Sequence, residues 1–294
     1  MLCRAPSEEE TMKALPLQMV QVWCLMEMFT GRFQVFCHLD IPLTMFDDSV
    51  DDQYIDCSPT TEVKPQEPGN VPLGKKYSET WEKARRHWAS LGQAATDLSP
   101  LYGTAVVAYT VGDTFYSDFN NAIREAGKSP SSYHDFTFKD AHFLLTKAVQ
   151  ARKPKHGCHR VFRGIRNIRF NVSDKVVRFG QFASSSLEET VAQKYGEDSF
   201  FIIKTCFGAQ IDDISFHPEE REVLIPPYET FNVTRHSESK KGVVITLESR
   251  GIFSHFNCGV KNAAGLSFLT PVGMPVLLWG LLLTWGILGP LGSL

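Results

Sequence analysis

Four residues between positions 163 and 222 have side chains suited to chemistry on a phosphate-bearing substrate. Arg163 stands in Val161-Phe162-Arg163-Gly164, and Ser184 in Phe182-Ala183-Ser184-Ser185-Ser186. Glu220 and Glu222 belong to Glu219-Glu220-Arg221-Glu222-Val223-Leu224-Ile225-Pro226-Pro227. A planar guanidinium clamps a diphosphate through parallel N–H donors, and a hydroxyl orients a carboxylate. Glutamates two positions apart on an extended segment project from one face, with Glu219 and Arg221 turned away. Together these types point to a phosphate-bearing ligand and to chemistry at a sugar carbon.

The elements that must position them fall into two halves. Tyr77, Trp81, Ala84, Trp88 and Leu91 recur at intervals of three and four, which predicts a helix over 77–91 with its aromatic stripe in the core. Further helices are expected over 115–126, closed by Gly127, and over 139–151. Beyond Cys158 the pattern changes to short β-branched and aromatic runs, giving strands at 159–162, 176–184, 199–205, 222–225, 230–233 and 243–247. One short helix, 187–195, interrupts them behind Ser186-Leu187-Glu188-Glu189, which reads as a capping box. Helices first and strands later imply an α+β fold rather than an alternating doubly wound sheet.

Charge and cysteine content narrow the function. Thirty basic and 33 acidic residues in a chain of 294 give a net charge of −3, so no global field favours nucleic acid. The seven cysteines show no paired CxxC spacing, and His156-Gly157-Cys158-His159 has no second cluster to complete four ligands, so no metal site is expected. No GxGxxG follows a strand and opens a helix, which argues against a Rossmann site. From Asp40 to Pro72 no periodicity survives, and the stretch reads as a packed loop or entry linker. Its acids Asp47, Asp48, Asp51, Asp52 and Asp56 read as a solvated face rather than a calcium loop.

The ends speak to compartment. No charge follows Lys261, and Val276 to Leu288, VLLWGLLLTWGIL, is apolar or small throughout but too short for an ordinary bilayer span. Asn262-Ala263-Ala264-Gly265 and the spacer Leu266 to Pro275 precede it. Small residues, a spacer and an apolar end make a glycosylphosphatidylinositol (GPI) signal over 263–294, with a single-pass anchor as the competing reading. At the other end, 1–31 is expected to be a signal peptide, with Met12-Lys13 as an alternative start before its apolar part. The domain between them is expected to span 40–262. Asn171-Val172-Ser173 and Asn232-Val233-Thr234 are glycosylation sequons, which fit an extracellular fate.

The ordered set Arg163, Ser184-Ser185-Ser186 and Glu220-Arg221-Glu222 resembles the R-S-ExE signature of arginine-specific mono-ADP-ribosyltransferases. The surrounding Asp51-Asp52-Gln53-Tyr54, Phe179-Gly180-Gln181-Phe182-Ala183-Ser184 and Glu222-Val223-Leu224-Ile225-Pro226-Pro227 resemble the vertebrate GPI-anchored ecto-enzymes in particular. The likeness runs from about Phe46 to Cys258. It departs from the family's Phe-Asp-Asp-Gln-Tyr block, where Ser49-Val50-Asp51-Asp52 appears inserted between Phe46-Asp47-Asp48 and Gln53-Tyr54.

The resemblance implies a helical amino-terminal part followed by a mostly antiparallel β-sandwich NAD-binding core. It implies an enzyme that transfers ADP-ribose from NAD+, its substrate, to arginine side chains of extracellular or cell-surface proteins, held outside the plasma membrane by a lipid anchor. Arg163 then contacts the NAD+ phosphates or nearby ribose, and Gly164 lets backbone approach the nicotinamide amide. Ser184 orients Glu222, which stabilises charge at the ribose carbon, and Glu220 holds or deprotonates the attacking guanidinium. The resemblance also implies disulfides Cys57–Cys258 and Cys158–Cys206. The rival expectations are an NAD+ glycohydrolase, with water as acceptor, and a catalytically silent cell-surface recognition protein.

Overall fold

The computed structural model describes residues 21–29, 32–57, 71–92 and 97–269. Its strands are β1 (Gln21–Phe29), β2 (Arg32–Leu43), β3 (His159–Ile165), β4 (Ile168–Val172), β5 (Val176–Val177), β6 (Ala183–Ser186), β7 (Ser199–Thr205), β8 (Ala209–Gln210), β9 (Glu222–Ile225), β10 (Glu229–Ser239), β11 (Gly242–Asn257) and β12 (Val260–Leu269). Its helices are α1 (Ser78–Ser90), α2 (Pro100–Thr110), α3 (Phe115–Ala126), α4 (Pro130–His134), α5 (Lys139–Arg152) and α6 (Glu189–Gln193). The α+β order therefore holds, preceded by the β1–β2 hairpin.

The expected helices appear as α1, α3 and α5, because each carries an apolar face at helical spacing. On α1, Trp81 and Ala84 are buried, and Trp88 packs against the same core. Helix α2 escaped the periodicity because the protein surrounds it: Gly103 through Thr110 are all buried, so no polar face sets a period. Its start was nevertheless written in the sequence. Ser99 accepts from the Tyr102 amide at 3.4 Å, and Pro100 fills the first helical position.

A nine-stranded sheet runs β5-β10-β11-β7-β3-β6-β9-β8, with β12 added beside β11. Among its pairs only β11–β7 is parallel. The second sheet, β1-β2-β4, lays Leu43, Phe170 and Val172 onto Val161, Phe201, Ile203 and Phe231 of the first. The sandwich core thus lies between two sheets, while the helical core lies on the other side, where Phe119 stacks on Phe182 with ring centroids 5.9 Å apart. This topology makes β3, β6 and β9 consecutive neighbours. The strands of the three sequence motifs are thereby brought side by side.

The structure corrects several expectations. Asp51 and Asp52 are not a solvated face: both are fully buried, and only Asp47, Asp48 and Asp56 of the five are exposed. Asp51 takes Nη1 of buried Arg178, together with the His255 and Phe256 amides at 2.9 and 3.0 Å. Burial acts to raise its carboxyl, but His255 and Arg178 prevail and leave it below its ordinary value. Asp52 accepts from the amides of Tyr54 at 2.8 Å, Cys258 at 3.1 Å and Gly259 at 2.6 Å. Most of these donors lie 127 to 207 positions away, where no local pattern could reveal them; for Asp52 they offset the desolvation only in part, and burial still holds its carboxyl up at about 6. Asp51-Asp52-Gln53-Tyr54 is therefore a buried block, with Asp47-Asp48 a surface pair before it.

The strand expected over 176–184 breaks into β5 and β6, because Gly180 takes φ +64° and Arg178 is drawn inward. The capping box is not formed. Glu188 is the N-cap of α6, and Ser186 lies in β6, where its hydroxyl donates to the Glu220 carbonyl and accepts from the Glu188 amide. Both expected disulfides, Cys57–Cys258 and Cys158–Cys206, are present. The segment 1–31 includes strand β1, paired to β2 across Gln21–Phe29 and Arg32–Asp40. Of the expected anchor signal, 270–294 lies outside the described residues, and among those described no helix is long and apolar enough to cross a membrane.

Candidate active site

Register fixes the relation between the serines and Glu222. In the antiparallel β6–β9 pair, Ser186 lies opposite Glu222 and Ser184 opposite Leu224. Opposed residues share a face and alternate residues return to it, so Ser184, Ser186, Glu222 and Leu224 point the same way. The three serines nevertheless do different work. Ser185 donates to the Val223 carbonyl and Ser186 to that of Glu220, each at 2.7 Å, which ties β6 to the ExE segment. Ser184 is buried, and its Oγ makes no hydrogen bond of standard geometry. It lies near enough to Glu222 to favour the ionised carboxylate, a polar contact short of a formed bond.

Glu222 opens β9 and is 3 % exposed. Burial pushes its carboxyl up to about 7, against the opposing pull of Ser184 and of the Arg163 charge. Arg163 leaves β3 and donates through Nη1 to the Ser184 carbonyl, so the arginine and serine motifs touch directly.

The pleat argument for Glu220 and Glu222 fails. Glu220 is the last residue of a 3-10 turn, Pro218–Glu220, and Arg221 adopts the left-handed conformation at φ +51° before β9 begins. A turn and a left-handed residue, not strand alternation, place the first glutamate. Its carboxylate Oε1 accepts from the Tyr195 hydroxyl at 2.8 Å. Arg221 turns away to Asp212 at 2.6 Å.

Gly164 has a packing reason of its own. A Cβ there would lie 2.3 Å from the carbonyl oxygens of Ala192 and Gly196, so only glycine lets α6 and the residues after it close on β3.

Sequence reasoning missed Arg124. On α3 its Nε is buried without a partner. Burial and the like charge of Arg163 pull its guanidinium down to about 10, against the opposing charge of Glu125. The two guanidinia are near enough for their like charges to act on each other. The helical spacing that put Phe119, Ile123 and Ala126 inward was the signal available; it located α3 but not what Arg124 faces. Tyr195 was missed too, because nothing in its neighbourhood marks it as more than a helix end. Among the described residues, no group of three or more His, Cys, Asp or Glu side chains is arranged to hold a metal.

Comparison with known proteins decides the kinship. The sequence profile of the family "NAD:arginine ADP-ribosyltransferase" matches residues 43–254. The chain belongs to this family. Among relatives of this transferase, the GPI-linked NAD(P)(+)–arginine ADP-ribosyltransferase 1 of Mus musculus is 39% identical over 237 residues, covering 74% of this chain and 73% of its own. Ecto-ADP-ribosyltransferase 5 of Rattus norvegicus is 41% identical over 239 residues, covering 74% and 76%. In structure, the transferase resembles the crystal structure of the eucaryotic mono-ADP-ribosyltransferase ART2.2, with TM-score 0.63 and 34% identity over 74% of this chain and 98% of that one. A variant of that protein crystallised in complex with NAD has TM-score 0.62 and 33% identity, with the same coverage.

Proposed function

We propose that this chain transfers ADP-ribose from NAD+ to arginine side chains of extracellular or cell-surface proteins, releasing nicotinamide. The observation that carries the reading is the pairing of a buried carboxylate, Glu222, with the hydroxyl of Ser184, which is turned to it, beside two guanidinia. Arg163 and Arg124 supply the charge a diphosphate needs. Gly164 allows close backbone approach in the same strand as Arg163.

Nicotinamide attached to ribose is already a cationic leaving group. Breaking its bond therefore calls for stabilising the positive charge that grows on the ribose carbon, and an anion fixed in a water-poor site does this best. Glu222 is that anion. A cationic substrate beside it draws its proton off, so the ionised form gains weight as NAD+ binds. The bond electrons leave with nicotinamide, and an arginine nitrogen of the acceptor bonds the ribose carbon from the other side. Its proton passes to Glu220, which also holds the guanidinium. A glycohydrolase has no need of that second glutamate, and a silent receptor has no need of Glu222 and Ser184 as a pair.

In this reading 1–31 is a signal peptide, 40–262 is the catalytic domain, and 263–294 is replaced by a GPI anchor at the outer face of the plasma membrane. Asn171 and Asn232, both exposed, carry the glycans. The names of the relatives, GPI-linked and ecto-enzyme, support that placement.

The test is incubation with labelled NAD+ and agmatine, beside a Glu222→Gln control. Label on agmatine that disappears in the control is the expected result. Free ADP-ribose alone points instead to hydrolysis, and NAD+ binding without turnover to a receptor.

A further inference from the structure

The turn carrying Glu220 is braced from a direction the sequence motif does not include. Ser186 Oγ donates to the Glu220 carbonyl at 2.7 Å, and the left-handed Arg221 fixes the backbone behind it. The carboxylate's orientation is held as well: the Tyr195 hydroxyl donates to its Oε1 at 2.8 Å.

Tyr195 is itself held firmly. Its amide donates to the Ala192 carbonyl at 3.1 Å, and Arg166 Nη2 grips the Lys194 carbonyl at 3.1 Å. On one side, Gly164 admits the carbonyls of Ala192 and Gly196. On the other, a Cβ at Gly196, whose φ is +129°, would lie 2.5 Å from the Arg166 amide nitrogen. Two glycines thus press the end of α6 against β3, the strand that carries Arg163. The phenol is delivered from that platform to Glu220, so the acceptor glutamate and the NAD+-binding arginine share one rigid frame.

From this geometry we infer that Tyr195 is a positioning residue for Glu220 and sets the partition between transfer to arginine and hydrolysis. The inference rests on the role of Glu220 in the function proposed above. A hydrogen bond to one carboxylate oxygen fixes the plane of the group, and a guanidinium is recognised by planar, two-point geometry. Water needs no such alignment. Removing the hydroxyl therefore impairs transfer and leaves cleavage of the nicotinamide bond, which depends on Glu222, untouched.

The experiment compares the full chain, displayed on cells, with its Tyr195→Phe, Glu220→Gln and doubly substituted variants, using labelled NAD+ with and without agmatine. Tyr195→Phe keeps the ring, so the packing survives. It is expected to lower kcat for agmatine transfer roughly tenfold, the scale of one charge-assisted hydrogen bond. KM for NAD+ and the rate of hydrolysis stay within about twofold, and on the Glu220→Gln background the change has no further effect, because the two residues act as a unit. Unchanged transfer, an equal loss of transfer and hydrolysis, or additive losses in the double variant would each overturn the inference while leaving the proposed function standing. A wild-type chain that leaves agmatine unlabelled sinks the proposed function, and the inference with it.

Discussion

Two buried glutamates seven positions apart, Glu222 at the head of β9 and Glu229 at the head of β10, have carboxyls pushed up to about 7 by burial. They differ in what surrounds them. Glu229 is fully enclosed and accepts from the Thr205 hydroxyl at 2.5 Å, the Ser249 hydroxyl at 2.6 Å, and the amides of Cys206 at 2.8 Å and Phe207 at 3.3 Å. Its capacity is spent on holding β7, β10 and β11 together beside the Cys158–Cys206 bond. Glu222 has the hydroxyl of Ser184 turned to it, and an arginine that reaches only backbone. A raised carboxyl alone therefore does not mark a reactive group. What separates the two is whether the polar partners are used up by the protein or kept for a ligand.

The sharpest way to break this contrast is to neutralise each glutamate in turn. Glu222→Gln should lower both transfer and hydrolysis by roughly a thousandfold or more, on the scale of an electrostatic transition-state contact, with no loss of stability, since a neutral amide escapes the cost of ionising a buried carboxyl. Glu229→Ala should do the reverse: it leaves two amides and two hydroxyls without their acceptor and costs about 3 kcal/mol of stability, while the folded fraction keeps its kcat. Thermal melts beside agmatine assays check both. If Glu229→Ala kills turnover in folded protein, the division into site and anchor is wrong.

Next in size, Arg124→Met should weaken NAD+ binding by roughly 10- to 100-fold, the worth of one hydrogen bond to a charged group. Titration of NAD+ by fluorescence or calorimetry reads this directly. An unaltered affinity would reduce Arg124 to a wall residue and leave Arg163 to meet the diphosphate alone.

The smallest effects belong to pH and to Ser184. Activity requires ionised Glu222, so kcat/KM should rise with pH through a limb near 7. Stability should run the other way. A carboxyl at about 7 in the folded chain and near 4.5 when unfolded favours the folded state below 4.5, and that advantage is lost as pH climbs through 7. Ser184→Ala removes a group that favours the ionised form; the limb should move to higher pH and kcat/KM should fall by about tenfold at neutral pH. A pH profile identical to wild type would show that the hydroxyl is idle.

Much of this was legible in the chain. The helical spacing of Tyr77, Trp81 and Ala84 and the apolar runs of β7 and β9 gave the α+β order, because burial of one face imposes a period on any element with a wet side. The R-S-ExE residues were legible as types, because diphosphates and developing cations demand particular charges. Helix α2 was not, since an element with no wet side has no period, and only Ser99-Pro100 announced it.

Local sequence could not show that Asp51 and Asp52 would be buried, since their partners Arg178, His255 and Cys258 lie 127 to 206 positions further along the chain. Nor could it place Arg124 or Tyr195 against the motif residues, or reveal that Glu220 is set by a turn and a left-handed Arg221 rather than by the pleat. The sequence by itself determined which elements form and which chemical groups are available. The tertiary structure decided which groups face each other and which partners are already spent, because those depend on sheet order and register, set by contacts between residues far apart in the chain.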